Sequence, residues 1–206
     1  MTTLALPDTK TAETVTFEEF LTRSDEGSAE WEDGRIVPMG SVTETHDTLT
    51  RFFDNAADVY LRLTGGGRVV SSRFTMKLQR SGREPDVMIV KQENLSRIKR
   101  TYLDGPADVV IEVISEESVD RDRGRKFIEY EAGKVKEYWI VDPLRQEMLF
   151  YSLNDEGIFQ PIPLNESGIF RSVVLPNFTL DVRNFWKQPV PDTFDTVSLV
   201  QRMLAT

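Results

Sequence analysis

The chain contains one nearly unbroken apolar run, Ala107-Asp108-Val109-Val110-Ile111-Glu112-Val113-Ile114-Ser115. Short runs of β-branched aliphatic residues are typical of a strand that is buried on both faces of a sheet. Glu112 lies in the middle of the run, where an ionised and unpaired carboxylate would strongly destabilise the fold. The run therefore predicts a buried strand whose glutamate is compensated by a metal ion, a basic side chain or a bound proton. A purely structural ion pair is the competing interpretation.

The segments on either side of this run predict the fold class. A helix is expected over residues 120–132, ending at Gly133, and a second apolar strand follows over residues 137–141. This connection is too long for a hairpin, so the two strands form a crossover unit of the strand-helix-strand kind. With a further strand at residues 86–90, the sequence predicts an α/β fold with a mixed central sheet flanked by helices.

The N-terminal half carries three local signals. The capping-box spacing of Thr16-Phe17-Glu18-Glu19 predicts a short helix that extends to Arg23. The dipeptide Asp33-Gly34 lies between two extended pieces and indicates a hairpin. Apolar residues at three- and four-residue steps predict an amphipathic helix over residues 45–63, which the glycines from Gly65 onwards end.

Composition limits the class of protein. The 206 residues, 39% of them hydrophobic, suffice for one well-buried domain, which we expect over residues 16–206 after a flexible segment at residues 1–15. No apolar run is long enough to span a membrane. Because the chain has no cysteine and no apolar leader, we expect it in the cytoplasm. A single histidine argues against a zinc site built from histidine and cysteine.

The net charge of −9 argues against a protein that covers DNA with a broad basic face. The distribution of charge is uneven, since residues 97–136 hold nine basic and nine acidic side chains. Basic clusters within that segment could contact phosphates locally, although a solvated charged surface is the better explanation of such clusters taken alone.

A group of polar residues is predicted to converge beside the central strand. Asp86 follows Pro85 at the start of an apolar strand, which places it at a sheet terminus. Asp122, Lys126 and Tyr130 are spaced four residues apart and therefore share one face of the next helix. Together with Glu112, two carboxylates and a lysine have the chemistry of a site for a hard cation such as Mg²⁺.

Structural interpretations exist for each of these residues. Lys126 could be an ordinary surface lysine, and Asp122 could cap the helix or pair with Arg125 or Lys126. Asp142, which precedes a proline, is explained most simply by a turn at the end of a strand. Three aromatic residues are expected in the core: Tyr130, Tyr138 and Trp139.

Four segments together resemble the Uma-type family of endonucleases, within the restriction-endonuclease-like PD-(D/E)XK superfamily. They are Pro85-Asp86, the run from Gly105 to Ser115, Asp122-Arg123-Gly124-Arg125-Lys126, and the run from Gly133 to Pro143. The resemblance continues upstream through residues 30–39 and His46, and it covers about residues 16–180. The long stretch from Pro106 to Pro143 is its most specific part.

The resemblance implies a metal-dependent endonuclease that hydrolyses phosphodiester bonds of nucleic acid, with DNA as the expected substrate. Asp86 and Glu112 would ligate Mg²⁺ or Mn²⁺, and Glu30 would complete the metal shell. The lysine of the superfamily motif lies two residues after the glutamate, where this chain has Ile114. Lys126 would replace that lysine from the following helix.

Further expectations accompany this interpretation. Two-fold symmetry would present two sites to the antiparallel strands of a duplex. Family members are similar in this respect, so a homodimer is expected. Without metal, Lys126 is expected to hold both acids ionised. His46 matches a family position. No reaction step is assigned to it, and packing or capping at the start of a helix explains the residue at least as well.

Two other functions compete. The first is a nuclease fold that has lost its chemistry and serves as a binding or scaffold protein, which the acidic balance and Ile114 favour. The second is a glycosidase with paired carboxylates, which fits less well because the lysine would have no role.

Overall fold

The computed structural model describes residues 14–23, 28–71, 73–116, 118–119 and 121–205. The predicted flexible segment, residues 1–15, therefore lies almost entirely outside the described residues. The division of the chain into that segment and a single domain over residues 16–206 stays a prediction.

The described residues form thirteen short strands. In chain order, they are β1 (Ala29–Glu32), β2 (Arg35–Pro38), β3 (Arg68–Ser71), β4 (Thr75–Lys77), β5 (Ser81–Arg83), β6 (Val87–Val90), β7 (Tyr102–Asp104), β8 (Val109–Val113), β9 (Glu137–Asp142), β10 (Glu147–Leu153), β11 (Phe159–Pro161), β12 (Ile169–Arg171) and β13 (Thr179–Asp181).

Helices connect and cover these strands. They are α1 (Phe17–Arg23), α2 (Glu44–Thr64), α3 (Lys126–Ala132), α4 (Val182–Phe185) and α5 (Thr193–Leu204), with a 3-10 helix at Gln92–Arg97 and a π-helical turn at Arg121–Arg125. In the described residues, no helix has the length and apolar character needed to cross a membrane.

The central sheet has six strands in the order β11-β10-β9-β8-β6-β3. Strands β8 and β9 are parallel neighbours joined through α3, and the other pairs are antiparallel. This arrangement confirms the predicted mixed sheet and its crossover helix. The predicted strands at residues 86–90, 108–114 and 137–141 are all present, with ends that differ by one residue at most.

The two faces of the central sheet bury different partners. Val109, Ile111 and Val113 of β8 pack into the same core cluster as residues of α2 and α5. Val110 lies on the opposite face of β8 and packs in a second core cluster, together with residues of α3 such as Tyr130. Because side chains alternate along a strand, Glu112 faces the side of the sheet that carries α3.

A second sheet of five strands, in the order β2-β1-β5-β4-β7, lies beside the first. Its β1–β2 hairpin turns at Asp33 and Gly34, both with positive φ, as the sequence predicts. Helix α1 begins with the predicted capping box, since the backbone N–H of Thr16 donates to Glu19 and that of Glu19 donates to the Thr16 hydroxyl.

The region predicted as one helix over residues 120–132 differs from the prediction. Its first turn is π-helical, and only Lys126–Ala132 is α-helical. Gly133 follows the helix with a φ of −72°, in the right-handed helical region. The next residue, Lys134, has a positive φ of 68°. A Cβ at position 133 would lie 2.9 Å from the carbonyl oxygen of Glu129 and from a methyl of Leu78. Glycine is therefore needed there for close packing and not for an unusual φ.

Candidate active site

The pairing of β6 with β8 brings the two predicted acidic residues together. Val87 lies opposite Ile111 in this antiparallel pair, so one step further along the register Asp86 lies opposite Glu112. Residues directly opposite each other project from the same face of a sheet. The backbone N–H of Val113 donates a 2.7 Å hydrogen bond to Oδ2 of Asp86 and fixes its carboxylate at the strand end.

Glu112 contacts two side chains of α3. Its Oε1 accepts hydrogen bonds from the Lys126 ammonium at 2.9 Å and from the Tyr130 hydroxyl at 2.6 Å. Lys126 and Tyr130 lie one helical turn apart on the face that the sequence predicts. Glu112 is only 2% exposed, so these contacts replace the water that a carboxylate would otherwise bind.

Lys126 is buried among three carboxylates. Besides its hydrogen bond to Glu112, its Nζ lies 3.2 Å from Oδ1 of Asp122 and 3.4 Å from Oε1 of Glu30. An ammonium group has three N–H donors, and three acidic side chains surround this one. The interpretation of Lys126 as a surface lysine is therefore wrong, since the residue is 1% exposed.

Glu30 is fully buried. Its Oε2 accepts a 2.7 Å hydrogen bond from the buried Arg83 guanidinium, which also bonds Glu129 through two further nitrogens at 2.7 Å. Glu30 reaches the remaining site residues through Lys126 and does not line the cavity described next. Its predicted part as a direct metal ligand stays a prediction.

A cavity of about 160 Å³ lies where these residues meet. Asp86, Glu112 and Lys126, all predicted site residues, line it. The remaining lining residues come from the end of β2 and the loop before α2, the start of α2, the end of β8 and the residues after it, and the π-helical turn: Pro38, Met39, Gly40, Ser41, Val42, His46, Val113, Ser115, Ser118, Arg121 and Asp122.

Asp122 is a site residue that the sequence left open as a cap or ion-pair partner. It is 2% exposed, and within the described part of the chain no hydrogen-bond donor is aligned with its Oδ1. The buried Tyr138 hydroxyl donates a 2.9 Å hydrogen bond to the backbone carbonyl of Asp122 and so holds this turn against β9. Turns of π-helix are frequent at functional sites, but sequence spacing does not reveal them.

His46 lies at the start of α2, where the hydroxyl of the N-cap Thr43 accepts its backbone N–H at 3.2 Å. Its Nε2 lies 3.2 Å from Oδ2 of Asp86, and its ring lines the cavity. His46, the residue that matches a family position, is therefore in contact with Asp86, one of the two predicted metal ligands.

The site carries a surplus of negative charge. Burial raises the pKa of Glu112 to about 8, and the charges of Asp122 and Asp86 add to that rise while Lys126 opposes it. Burial alone would lower the pKa of Lys126, but the surrounding carboxylates, Glu112 foremost, raise it above its usual value. One lysine is shared among several acids. The expectation that Lys126 holds both acids ionised without metal stays a prediction.

The pKa of His46 reports the negative charge of the site, and His46 is the one histidine of the chain. We expect the pKa of His46 to lie above 6.5, because the hydrogen bond and charge of Asp86 outweigh the effect of burial, which acts in the opposite direction. A proton NMR titration of the metal-free protein reports this pKa without overlap from other histidines. Asp86→Asn should lower the value, and an unchanged value in that variant would contradict the contact.

The donor chemistry fits a hard dication. Among the described residues, no group of three or more acidic or histidine side chains is arranged to hold a metal ion. Mg²⁺ nevertheless binds through one or two carboxylates and keeps several waters. Asp86 and Glu112 supply two such groups on one cavity. Asp122 lines the same cavity, and its Oδ1 forms an ion pair with Lys126.

The mixed central sheet, with its crossover helix and flanking helices, defines a restriction-endonuclease-like fold. The chain belongs to the Uma2 family, described as "Putative restriction endonuclease", which matches residues 16–183. The predicted family is thereby confirmed.

One solved structure shares the fold over nearly its whole length. It is a crystal structure of a putative nuclease belonging to DUF820 from Anabaena variabilis, with a TM-score of 0.65 and 14% sequence identity. The match covers 90% of this chain and 99% of that chain. No curated protein matches the sequence.

Proposed function

We propose that this protein is a metal-dependent endonuclease that hydrolyses phosphodiester bonds of nucleic acid, with DNA as the first substrate to test. The observation that carries the proposal is the convergence of Asp86 and Glu112 on one cavity, beside Lys126, in a chain of a restriction endonuclease family.

Asp86 and Glu112 are the proposed ligands for Mg²⁺ or Mn²⁺, and Asp122 is the nearest candidate for a third. A dication bound there would lower the pKa of a water molecule and offset the negative charge on the phosphate. The chain's own residues keep the ligands in place, since Val113 fixes Asp86 through its backbone N–H and Tyr130 fixes Glu112.

Lys126 replaces the motif lysine from another backbone position, which accounts for Ile114 two residues after the glutamate. Its ammonium holds the Glu112 and Asp122 carboxylates beside each other despite their like charge. Glu30 contributes indirectly, because it compensates Lys126 and Arg83 at the base of the site.

Cleavage assays test this proposal. Supercoiled DNA, linear duplex, single-stranded DNA and RNA would each be incubated with Mg²⁺, with Mn²⁺ or with EDTA. We expect at least one substrate to be cut with metal and none with EDTA. Failure to cut any of them, in a protein that calorimetry shows to bind Mn²⁺, would support the scaffold function instead.

We further propose a homodimer in the cytoplasm. A two-fold axis would present two sites to the antiparallel strands of a duplex, and a chain without cysteine suits a reducing compartment. Light scattering should give twice the chain mass of 23.6 kDa at micromolar concentration. A value equal to the chain mass would contradict the dimer.

A further inference from the structure

Arg121 is the one arginine among the residues that line the cavity. It belongs to the π-helical turn that also carries Asp122, and its side chain is 25% exposed. Its Nε is buried, and within the described residues it has no hydrogen-bond partner. Oδ1 of Asp122 lies 3.9 Å away, which is too far for a hydrogen bond.

The other cation of the cavity is already engaged. Lys126 is 1% exposed and faces Glu112, Asp122 and Glu30, so its donors point at protein carboxylates. Arg121 differs in both respects, since it is partly open to solvent and no described acceptor satisfies its Nε.

A buried donor without a partner is costly, and an acceptor oxygen of a ligand that enters the cavity would satisfy it. The arginine side chain carries five N–H donors in a rigid planar fork that matches two oxygens of a phosphate group. The carboxylates that line the same cavity would repel that phosphate in the absence of a cation. A basic residue at the mouth of the cavity would offset this repulsion.

We propose that Arg121 binds the non-bridging oxygens of the substrate phosphodiester at the mouth of the cavity. This inference rests on the proposed function and assigns the phosphate contact to Arg121 instead of Lys126. Arg121 is then a substrate-binding residue, whereas Lys126 positions the carboxylates.

Equilibrium binding tests the assignment without relying on turnover. A fluorescein-labelled 20-nucleotide DNA, single- or double-stranded, would be titrated with protein in Ca²⁺ at several salt concentrations. Arg121→Ala should weaken binding about tenfold, the effect of one charged hydrogen-bonded contact. The slope of log K against log salt should fall by about 0.9 for duplex or about 0.7 for a single strand, as for one lost phosphate contact.

Two further variants make the outcome specific. Arg121→Lys keeps the charge, so it should retain the salt slope of the parent while binding more weakly. Arg202→Ala removes an exposed arginine from α5, on the opposite side of the central sheet, and should change neither quantity. Thermal unfolding of each variant checks that the fold is retained.

The results distinguish the role of Arg121 from the proposed nuclease function. A parent protein that binds DNA, with an Arg121→Ala variant of equal affinity and salt slope, would overturn the assignment and leave the proposed nuclease standing. A parent protein that binds neither form of DNA nor a matching RNA would overturn the proposed function and this inference together.

Discussion

Replacing Lys126 with alanine is expected to lower the free energy of unfolding by about 3–5 kcal/mol, the usual effect of removing one partner from a buried ion pair. The substitution leaves the carboxylates of Glu112, Asp122 and Glu30 buried without their shared cation. Urea denaturation of the metal-free protein at neutral pH measures the change. Lys91→Ala, which removes a partly exposed ion pair with Glu93, should cost less than about 1 kcal/mol.

A double variant identifies the cause of that loss. Glu112→Gln replaces the carboxyl group that accepts the hydrogen bond of Lys126, so Lys126→Ala should cost less in the Glu112→Gln background than in the parent. Equal costs in the two backgrounds would contradict the coupling between these residues. A loss no larger than that of Lys91→Ala would contradict the buried cluster itself.

Glu112→Gln is expected to abolish metal-dependent cleavage while leaving the fold intact. The amide keeps the shape of the side chain and an acceptor for Tyr130, but it loses the charge that holds a dication. Cleavage of the best substrate in Mg²⁺ and Mn²⁺ measures the loss. Glu166→Gln, which changes an exposed carboxylate, should cleave like the parent.

The same variant should alter the dependence of stability on pH. The pKa of Glu112 is about 8 in the folded protein, against 4.5 for an unperturbed glutamate. The folded state therefore binds the proton more tightly, and the parent loses stability as pH rises from about 4.5 to about 8. Glu112→Gln should remove that loss.

A Glu112→Gln variant that cleaves as well as the parent would place the chemistry elsewhere in the protein.

Local signals in the sequence predict much of the fold. The apolar run around Glu112 predicts a doubly buried strand, and the spacing to the next apolar run predicts a parallel neighbour joined by a helix. The capping box at Thr16 and the Asp33-Gly34 turn depend only on neighbouring residues, and both are present. Asp142 also forms the predicted turn, since its Oδ1 accepts the backbone N–H groups of Leu144 and Arg145.

The candidate site could be predicted only in part, because several of its contacts join distant segments. Glu30 meets Arg83 across 53 residues, and Arg83 lies in β5, a three-residue strand without a recognisable apolar pattern. The ion pair between Asp122 and Lys126 follows the four-residue spacing in the sequence, but that spacing gives no sign of the π-helical turn that carries Asp122. Helical spacing did place Lys126 and Tyr130 beside Glu112.

The central claim is that Asp86 and Glu112 bind one divalent ion in the cavity. Soaking crystals in Mn²⁺ and collecting anomalous diffraction data tests it most directly. The account predicts one strong peak within about 2.0–2.3 Å of a carboxylate oxygen of each residue, as expected for a hard cation. A cavity without a peak, in which Lys126 still contacts Glu112, would contradict the claim.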